Sequence, residues 1–356
     1  MPPKKQEDAK QLSQLKQDLS QNALGTLYLF YGEETYLRDY YLDEMKKQLV
    51  GEWGAFCFHS FSGKHVSLQA LVDAVDTFPM GSDRTMVVVY DYDLYQSAGK
   101  EELMSLLADV PPYCCLVFVY DVQPYKADAR TKIYGLLKSK GQIVQFTQQS
   151  QSDLVRWIAR RFAATGHTIG RREAEYLIFL CGGLMTGLIS EIGKISAYAS
   201  TVPITKEQID AVADPVLDAV VFQMTDAVLK GNIEQATKIL GDLLRMQQPP
   251  IMILSVLGKQ MRQLHAARLA KEHGKSVADL TKLWGMRSAY PAQNLMRNAN
   301  GFDLIWCRNA VRLCAETDFG MKQSGTKQED QLVMLLLRLL EGTKRKGNDT
   351  CCGSKK

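Results

Sequence analysis

The sequence is poor in the arrangements from which catalytic centres are usually made. Its five histidines (59, 65, 167, 265 and 273) form no HExxH pair, which excludes the zinc site built from two imidazoles one helical turn apart. No GxSxG string is present, so the strained strand-to-helix elbow of the serine hydrolases is excluded as well. The eight cysteines (57, 114, 115, 181, 307, 314, 351 and 352) include no CxxC pair, and a chain of 356 residues with 46% apolar content does not depend on a disulfide framework for its core. Reduced thiols are expected. Long apolar runs are missing too: MPPKKQEDAKQLSQLKQ carries basic residues with no apolar stretch behind them, so no leader and no membrane span are predicted and the cytoplasm is the expected location. Cys351 and Cys352 stand in GTKRKGNDTCCGSKK, neither of them fourth from the end, which excludes a prenylation signal.

What is present is an uneven charge and two kinds of hydrophobic pattern. The net charge of +4 divides into −4 over residues 1–150, −1 over 151–250, +8 over 251–346 and +1 over the last ten, so the positive charge sits in the C-terminal third. From residue 24 to about 147, short β-rich runs alternate with helical patterns, the signature of a parallel sheet with crossover helices. The predicted strands are Thr26–Tyr31, Ala55–Phe61, Thr85–Tyr90, Cys114–Tyr120 and Gln142–Phe146. Between them, Leu37, Tyr41, Met45 and Leu49 mark one helix face, Leu68, Leu71, Val72 and Val75 a second, and Ile133, Leu136 and Leu137 a third. After QFTQQSQSD the period becomes 3.6 and stays so to Leu340. The expected architecture is α/β plus all-α, with domains at 1–148, 149–213 and 214–342 and a flexible tail at 343–356. Pro215 is placed for the first turn of a new helix with Asp214 as its cap.

The run TLYLFYGEETYL, from strand through glycine into helix, is where a phosphate loop would stand. That loop needs GxxxxGK[ST], with backbone N–H groups around the phosphates, a lysine against their charge and a hydroxyl for magnesium. Gly32 is followed instead by Glu33, Glu34, Thr35, Tyr36 and Leu37, and two carboxylates repel polyphosphate. Both acids suit the positive end of a helix, with Thr35 as its cap. The one GK[ST] string, Gly274–Lys275–Ser276, has Leu269 at the first-glycine place and reads as a helix end. Asp91, Asp93 and Asp121 follow predicted strands without an Asp-Glu pair and read as turn residues, and His265, between Arg262 and Arg268, as a partly exposed surface residue. No catalytic, cofactor-binding or metal-binding residues are predicted.

LYLFYGEETYLRDYYLDEM, LVDAVDTFPMGSDRTMVVVYD, KADARTKIYGLLKSKGQIVQF and ETDFGMKQSGTKQEDQLVMLLLRLL, in that order over residues 24–342, together resemble the delta subunit of the bacterial DNA polymerase III clamp loader. The resemblance implies an AAA+-like five-stranded parallel-sheet domain without a working nucleotide site, a small helical lid and a helical collar that assembles into a five-subunit ring. It implies a non-catalytic subunit of the DNA-directed DNA polymerase (nucleotidyltransferase) holoenzyme that binds and opens the sliding clamp (beta) for loading onto primed DNA. Its companions would be gamma/tau and delta prime type subunits, with no membrane partner. The clamp contact falls on DTFPMGSDR, with Phe78, Pro79 and Met80 at the turn. Read without the resemblance, Phe78 suits a core position with an ordinary Pro-Met turn beside it.

Lys259, Arg262, Arg268 and Lys271 suit a DNA path or a solvated helix face, and Leu332, Leu335, Leu336, Leu339 and Leu340 suit an assembly surface. Two other functions fit the same residues: a divergent AAA+ nucleotide hydrolase, and a DNA-binding adaptor unrelated to clamps.

Overall fold

A computed structural model describes residues 4–349 except 64, 96–98, 201, 287–289, 324 and 326. Two compact units are formed, one from residues 1–148 with the short segment 184–186, the other from 149–183 and 187–356.

The first unit runs α1 (Lys4–Ser20), β1 (Leu27–Tyr31), α2 (Thr35–Leu49), α3 (Gly54–Cys57), β2 (Phe58–Ser62), α4 (Leu68–Asp76), β3 (Thr85–Tyr90), α5 (Lys100–Ala108), β4 (Cys114–Val119), α6 (Lys132–Lys140) and β5 (Gln142–Gln145). The sheet is parallel throughout in the order β2-β3-β4-β1-β5. Its inner strands are apolar at consecutive positions because both faces are covered. Leu27, Leu29, Val87, Val89, Leu116 and Phe118 pack against α4, α5 and α6, while Tyr28, Phe30, Met86, Val88, Cys115 and Val117 pack against α1 and α2. Ser67 and Thr131 cap α4 and α6 by accepting N–H bonds from Ala70 and Tyr134, each such cap stabilising a helix by about 1 kcal/mol.

Three elements differ from the sequence-based expectation. The second strand begins at Phe58 because Gly54–Cys57 closes a helical turn first. The sequence reading assigned no element to residues 4–20, yet α1 lies along the edge strand β5, with Leu15 buried and the Gln142 side chain donating to the Gln11 carbonyl at 3.0 Å. It covers an edge that would otherwise offer unpaired backbone groups. Helix α5 is the third, its buried positions Leu103, Leu106 and Leu107 spanning little more than one turn and so giving a weak periodic signal.

The second unit is helical: α7 (Gln151–Ala164), α8 (Arg171–Cys181), α9 (Met185–Tyr198), α10 (Lys206–Val212), α11 (Leu217–Leu229), α12 (Ile233–Arg245), α13 (Pro250–Glu272), α14 (Val277–Leu283), α15 (Tyr290–Asn298), α16 (Leu304–Gln323) and α17 (Gln328–Asp349). Helix α11 starts two residues after Pro215, with Val216 as its N-cap, and Asp214 instead pairs with Lys194 at 2.6 Å. The GK[ST] string is a helix end as expected: Gly274 is left-handed beyond α13, and Ser276 caps α14 in a capping box with Asp279. Helices α11, α12, α13, α16 and α17 share one core. Leu332, Leu335, Leu336, Leu339 and Leu340 are buried in it, so they hold the unit together and are not available as an assembly surface. The apolar groups that α17 leaves at its surface are Val333, Met334 and Leu337. That helix continues past the expected start of the tail at 343, and Cys351 and Cys352 lie outside the described residues. No single described helix is long and apolar enough to cross a membrane.

Candidate functional site

In an open parallel sheet the crevice for a ligand lies at the carboxyl ends of the strands where the strand order reverses. Here that place is the end of β1, between β4 and β5. The loop that leaves β1 is folded back onto the protein. The Glu34 N–H donates to the Phe146 carbonyl at 3.1 Å, and Gly32, at φ +129°, approaches the same carbonyl so closely that a Cβ would lie 2.2 Å from its oxygen. A phosphate cradle requires such N–H groups to point into open space. The Glu34 carboxylate is fully buried and accepts the Met185 N–H, each oxygen at 3.2 Å, so an acid of the chain takes an acceptor's place. Glu34 is the N-cap residue of α2 and makes no side-chain cap. Thr35, expected to cap it, pairs its hydroxyl with that of Thr186 at 2.9 Å.

One turn into α2, Arg38 is only 4% exposed and donates to Asp39 at 2.8 Å and to Asp121 at 2.7 Å. Burial works against the guanidinium charge, but the two carboxylate hydrogen bonds outweigh it and raise the pKa. Asp121, which follows β4, is thereby more than the turn residue expected. Asp91 does organise the turn after β4, its carboxylate accepting the N–H groups of Asp121 at 2.9 Å, Val122 at 3.3 Å and Gln123 at 3.1 Å. Asp93 accepts the Tyr95 N–H at 3.2 Å. Burial disfavours the thiolate at three cysteines, pushing Cys114 up to about 11 and Cys115 and Cys181 up to about 12.

The turn between α4 and β3 has the opposite character. Side chains on both flanks are hydrogen-bonded. The Thr77 hydroxyl donates to the Asp73 carbonyl at 2.7 Å, Ser82 Oγ donates to the Arg84 carbonyl at 2.9 Å, and Arg84 donates to the carbonyls of Leu24, Gly25 and Cys114 at 2.7, 2.7 and 3.0 Å. Pro79 fixes its own φ. Yet Phe78 is 72% exposed and Met80 70%. Phe78 stacks on the Tyr113 ring with centroids 4.4 Å apart and does not enter the core, which excludes the core description of that residue. Trp53 and Phe56 are exposed as well, a feature the sequence reading missed because it assigned Phe56 to a strand.

Of the basic residues on α13, Lys259 pairs with Asp218 at 3.2 Å and Arg268 with Glu272 at 3.1 Å. Arg268 follows Lys259 by nine residues, about two and a half helical turns, and so lies on the opposite side of the helix. The four cations therefore form two edges, Lys259 with Arg262 and Arg268 with Lys271. His265 is half-buried.

The sequence model of the family described as DNA polymerase III, delta subunit, matches residues 28–147, and that of the DNA polymerase III delta subunit, C-terminal domain, matches residues 218–339. The DNA polymerase III subunit delta of Bacillus subtilis is 25% identical over 342 residues, covering 92% of this chain and 95% of that one. The Escherichia coli protein of the same description is 21% identical over 316 residues, covering 87% and 90%. Among solved structures, the DNA clamp loader delta protein of Bacillus subtilis superposes with a TM-score of 0.50 at 21% identity, covering 92% of this chain and 99% of that one. The fold is thus the AAA+-like five-stranded sheet followed by helical domains that the sequence led us to expect. With both family models matched in order, one on each compact unit, the chain belongs to the family of DNA polymerase III delta subunits.

Proposed function

We propose that this chain is the non-catalytic subunit of a clamp loader that binds the sliding clamp through Phe78, Pro79 and Met80 and favours its opened form for loading onto primed DNA. One observation carries the reading: an aromatic and a thioether stand in solvent on a turn whose flanking side chains are hydrogen-bonded and whose Met80 backbone is held by the Cys57 thiol, in the segment that resembles the clamp contact of the family. Large apolar side chains on a pre-ordered backbone make good anchors, because little ordering remains to oppose their burial. Opening follows from differential affinity, since a partner shifts a ring from closed to open only by binding the open form better. ATP chemistry in this subunit has no part in it, consistent with a loop after β1 that donates and accepts within the chain.

Within the second unit, we place the boundary between lid and collar at residue 214 and assign assembly with gamma/tau and delta prime type subunits to residues 214–342. The exposed Val333, Met334 and Leu337 of α17 suit a surface that another subunit covers. Arg262 and Lys271, with Lys259 and Arg268 beside them, are the candidates for facing DNA in the assembled loader. The working location is the cytoplasm. The deciding experiment is direct: the full chain, immobilised, is presented with the cognate sliding clamp. Stoichiometric capture is expected, and an empty eluate refutes the reading.

A further inference from the structure

The turn at 78–81 is gripped from a second segment of the chain. Cys57, fully buried at the end of α3, accepts the Met80 N–H with its sulfur at 3.3 Å and donates its S–H to the Met80 carbonyl at 3.4 Å. One side chain thus answers both backbone polar groups of the residue that would anchor the partner. Beside it, Gly81 adopts φ +89°, and its α-carbon lies so close under the Trp53 indole that a Cβ would fall 2.4 Å from the ring. The two grips share one support. Strand β2 begins immediately after Cys57 and pairs Phe58 with Met86 of β3, so the sheet carries residues 53–57 to the residues that precede β3.

We infer that Trp53 and Cys57 are positioning residues for partner binding: they clasp the backbone at Met80 and Gly81 so that Phe78 and Met80 are presented in one conformation. This inference rests on the clamp-contact reading and deepens it. An exposed turn without such support would have to be ordered on association, and that cost is subtracted from affinity. Sulfur is a weak donor and a weak acceptor, and the buried thiol serves both roles at this part-buried point of the turn, where an unanswered N–H or C=O carries a cost.

The test uses the full chain and the cognate sliding clamp. Cys57→Ala should weaken clamp binding by about tenfold, the order expected from two weak hydrogen bonds, and should speed hydrogen exchange at the Met80 amide by a similar factor. Cys57→Ser, which keeps a donor and an acceptor, should recover most of both. Gly81→Ala, which displaces the indole, should act in the same direction as Cys57→Ala without touching the thiol. Melting curves of each variant identify any that has lost its fold, and Cys57→Ser with Gly81→Ala decides the question if Cys57→Ala is one of them. The variant carrying both F78A and M80A separates the two readings. If it binds weakly while Cys57→Ala binds as the wild type does, the clasp is overturned and the contact stands. If it binds as the wild type does, the contact itself is wrong and the positioning role in partner binding falls with it, and exchange at the Met80 amide in Cys57→Ala then reads only whether the thiol holds that backbone.

Discussion

Two turns of the first unit, one after β1 and one before β3, carry different side chains and end in opposite states. The loop after β1 carries polar groups, and the structure turns them inward: Glu34 N–H to Phe146, the Glu34 carboxylate to Met185, Arg38 to Asp39 and Asp121. The turn before β3 carries apolar groups, and the structure leaves them outside while the flanking Thr77 and Ser82 hydroxyls donate to the Asp73 and Arg84 carbonyls and Cys57 accepts the Met80 N–H. Unused chemistry closes on itself, because buried donors and acceptors must find partners. On the clamp-contact reading proposed above, the turn before β3 does the reverse, keeping its apolar area in water until the partner covers it.

The sharpest break of this comparison is the double substitution F78A/M80A. Each anchor of this kind contributes roughly 2 kcal/mol or more when fully buried by a partner, so clamp affinity should fall by about a hundredfold or more. Circular dichroism and the melting curve should stay nearly unchanged, because neither side chain enters the core. A collapsed melting curve would return Phe78 to a structural role.

On the closed loop the ranking reverses. Arg38→Ala removes the cation between Asp39 and Asp121 and leaves a buried space beside them. Breaking a fully buried pair costs about 3–5 kcal/mol, and the two carboxylates here are about half exposed, so a loss of about 2 kcal/mol in chemical denaturation is expected. Clamp binding should not change. An effect on affinity equal to that of F78A/M80A would remove the distinction between the two turns.

How much of this was legible in the sequence depends on the range of the interaction. The inner strands were, because burial on both faces writes consecutive apolar residues into a short run. So was the missing phosphate loop, since Gly32 to Leu37 are neighbours in the chain. The second strand was misplaced by three residues because Ala55, Phe56 and Cys57 are apolar in the same way as a buried strand, although Phe56 is in solvent. Arg38 and Asp121 stand 83 residues apart, and Cys57 and Met80 23, and no periodicity links such pairs. The exposure of Phe78 was hidden for another reason: an aromatic residue after an amphipathic helix is as common inside a protein as at an interface. On α17 the error ran the other way, since five leucines that read as an assembly surface are the core, and the apolar groups left exposed are Val333, Met334 and Leu337.

That last point supplies a test of whether exposed apolar residues by themselves identify an interface. Met334→Asp with Leu337→Asp should weaken assembly with the companion subunits by about tenfold, the order of two desolvated contacts partly lost. Clamp binding by the same chain should be untouched. Assembly at the wild-type level would show that exposure without the backbone ties seen at 78–81 is not a sign of a partner.

The smallest expected effect is zero, and it decides the other half of the comparison. A ligand that binds only the folded chain raises stability by RT ln(1 + [L]/Kd), about 2.7 kcal/mol when its concentration is a hundred times Kd. A working nucleotide site in the AAA+-like unit would therefore shift the melting temperature by several degrees in excess ATP and magnesium. Here the loop after β1 has no lysine and no second glycine, its Glu34 N–H is bonded to Phe146, and a carboxylate is buried beside it. To admit a triphosphate the chain would have to break that hydrogen bond and bring phosphate charge up to Glu33 and Glu34, which Coulomb repulsion opposes. The melting curve with ATP and magnesium should therefore overlay the curve without them, and calorimetry should record no saturable heat. A shift of several degrees would mean that the loop opens in solution, and the divergent nucleotide hydrolase would then replace the clamp-opening subunit as the better account of the first unit.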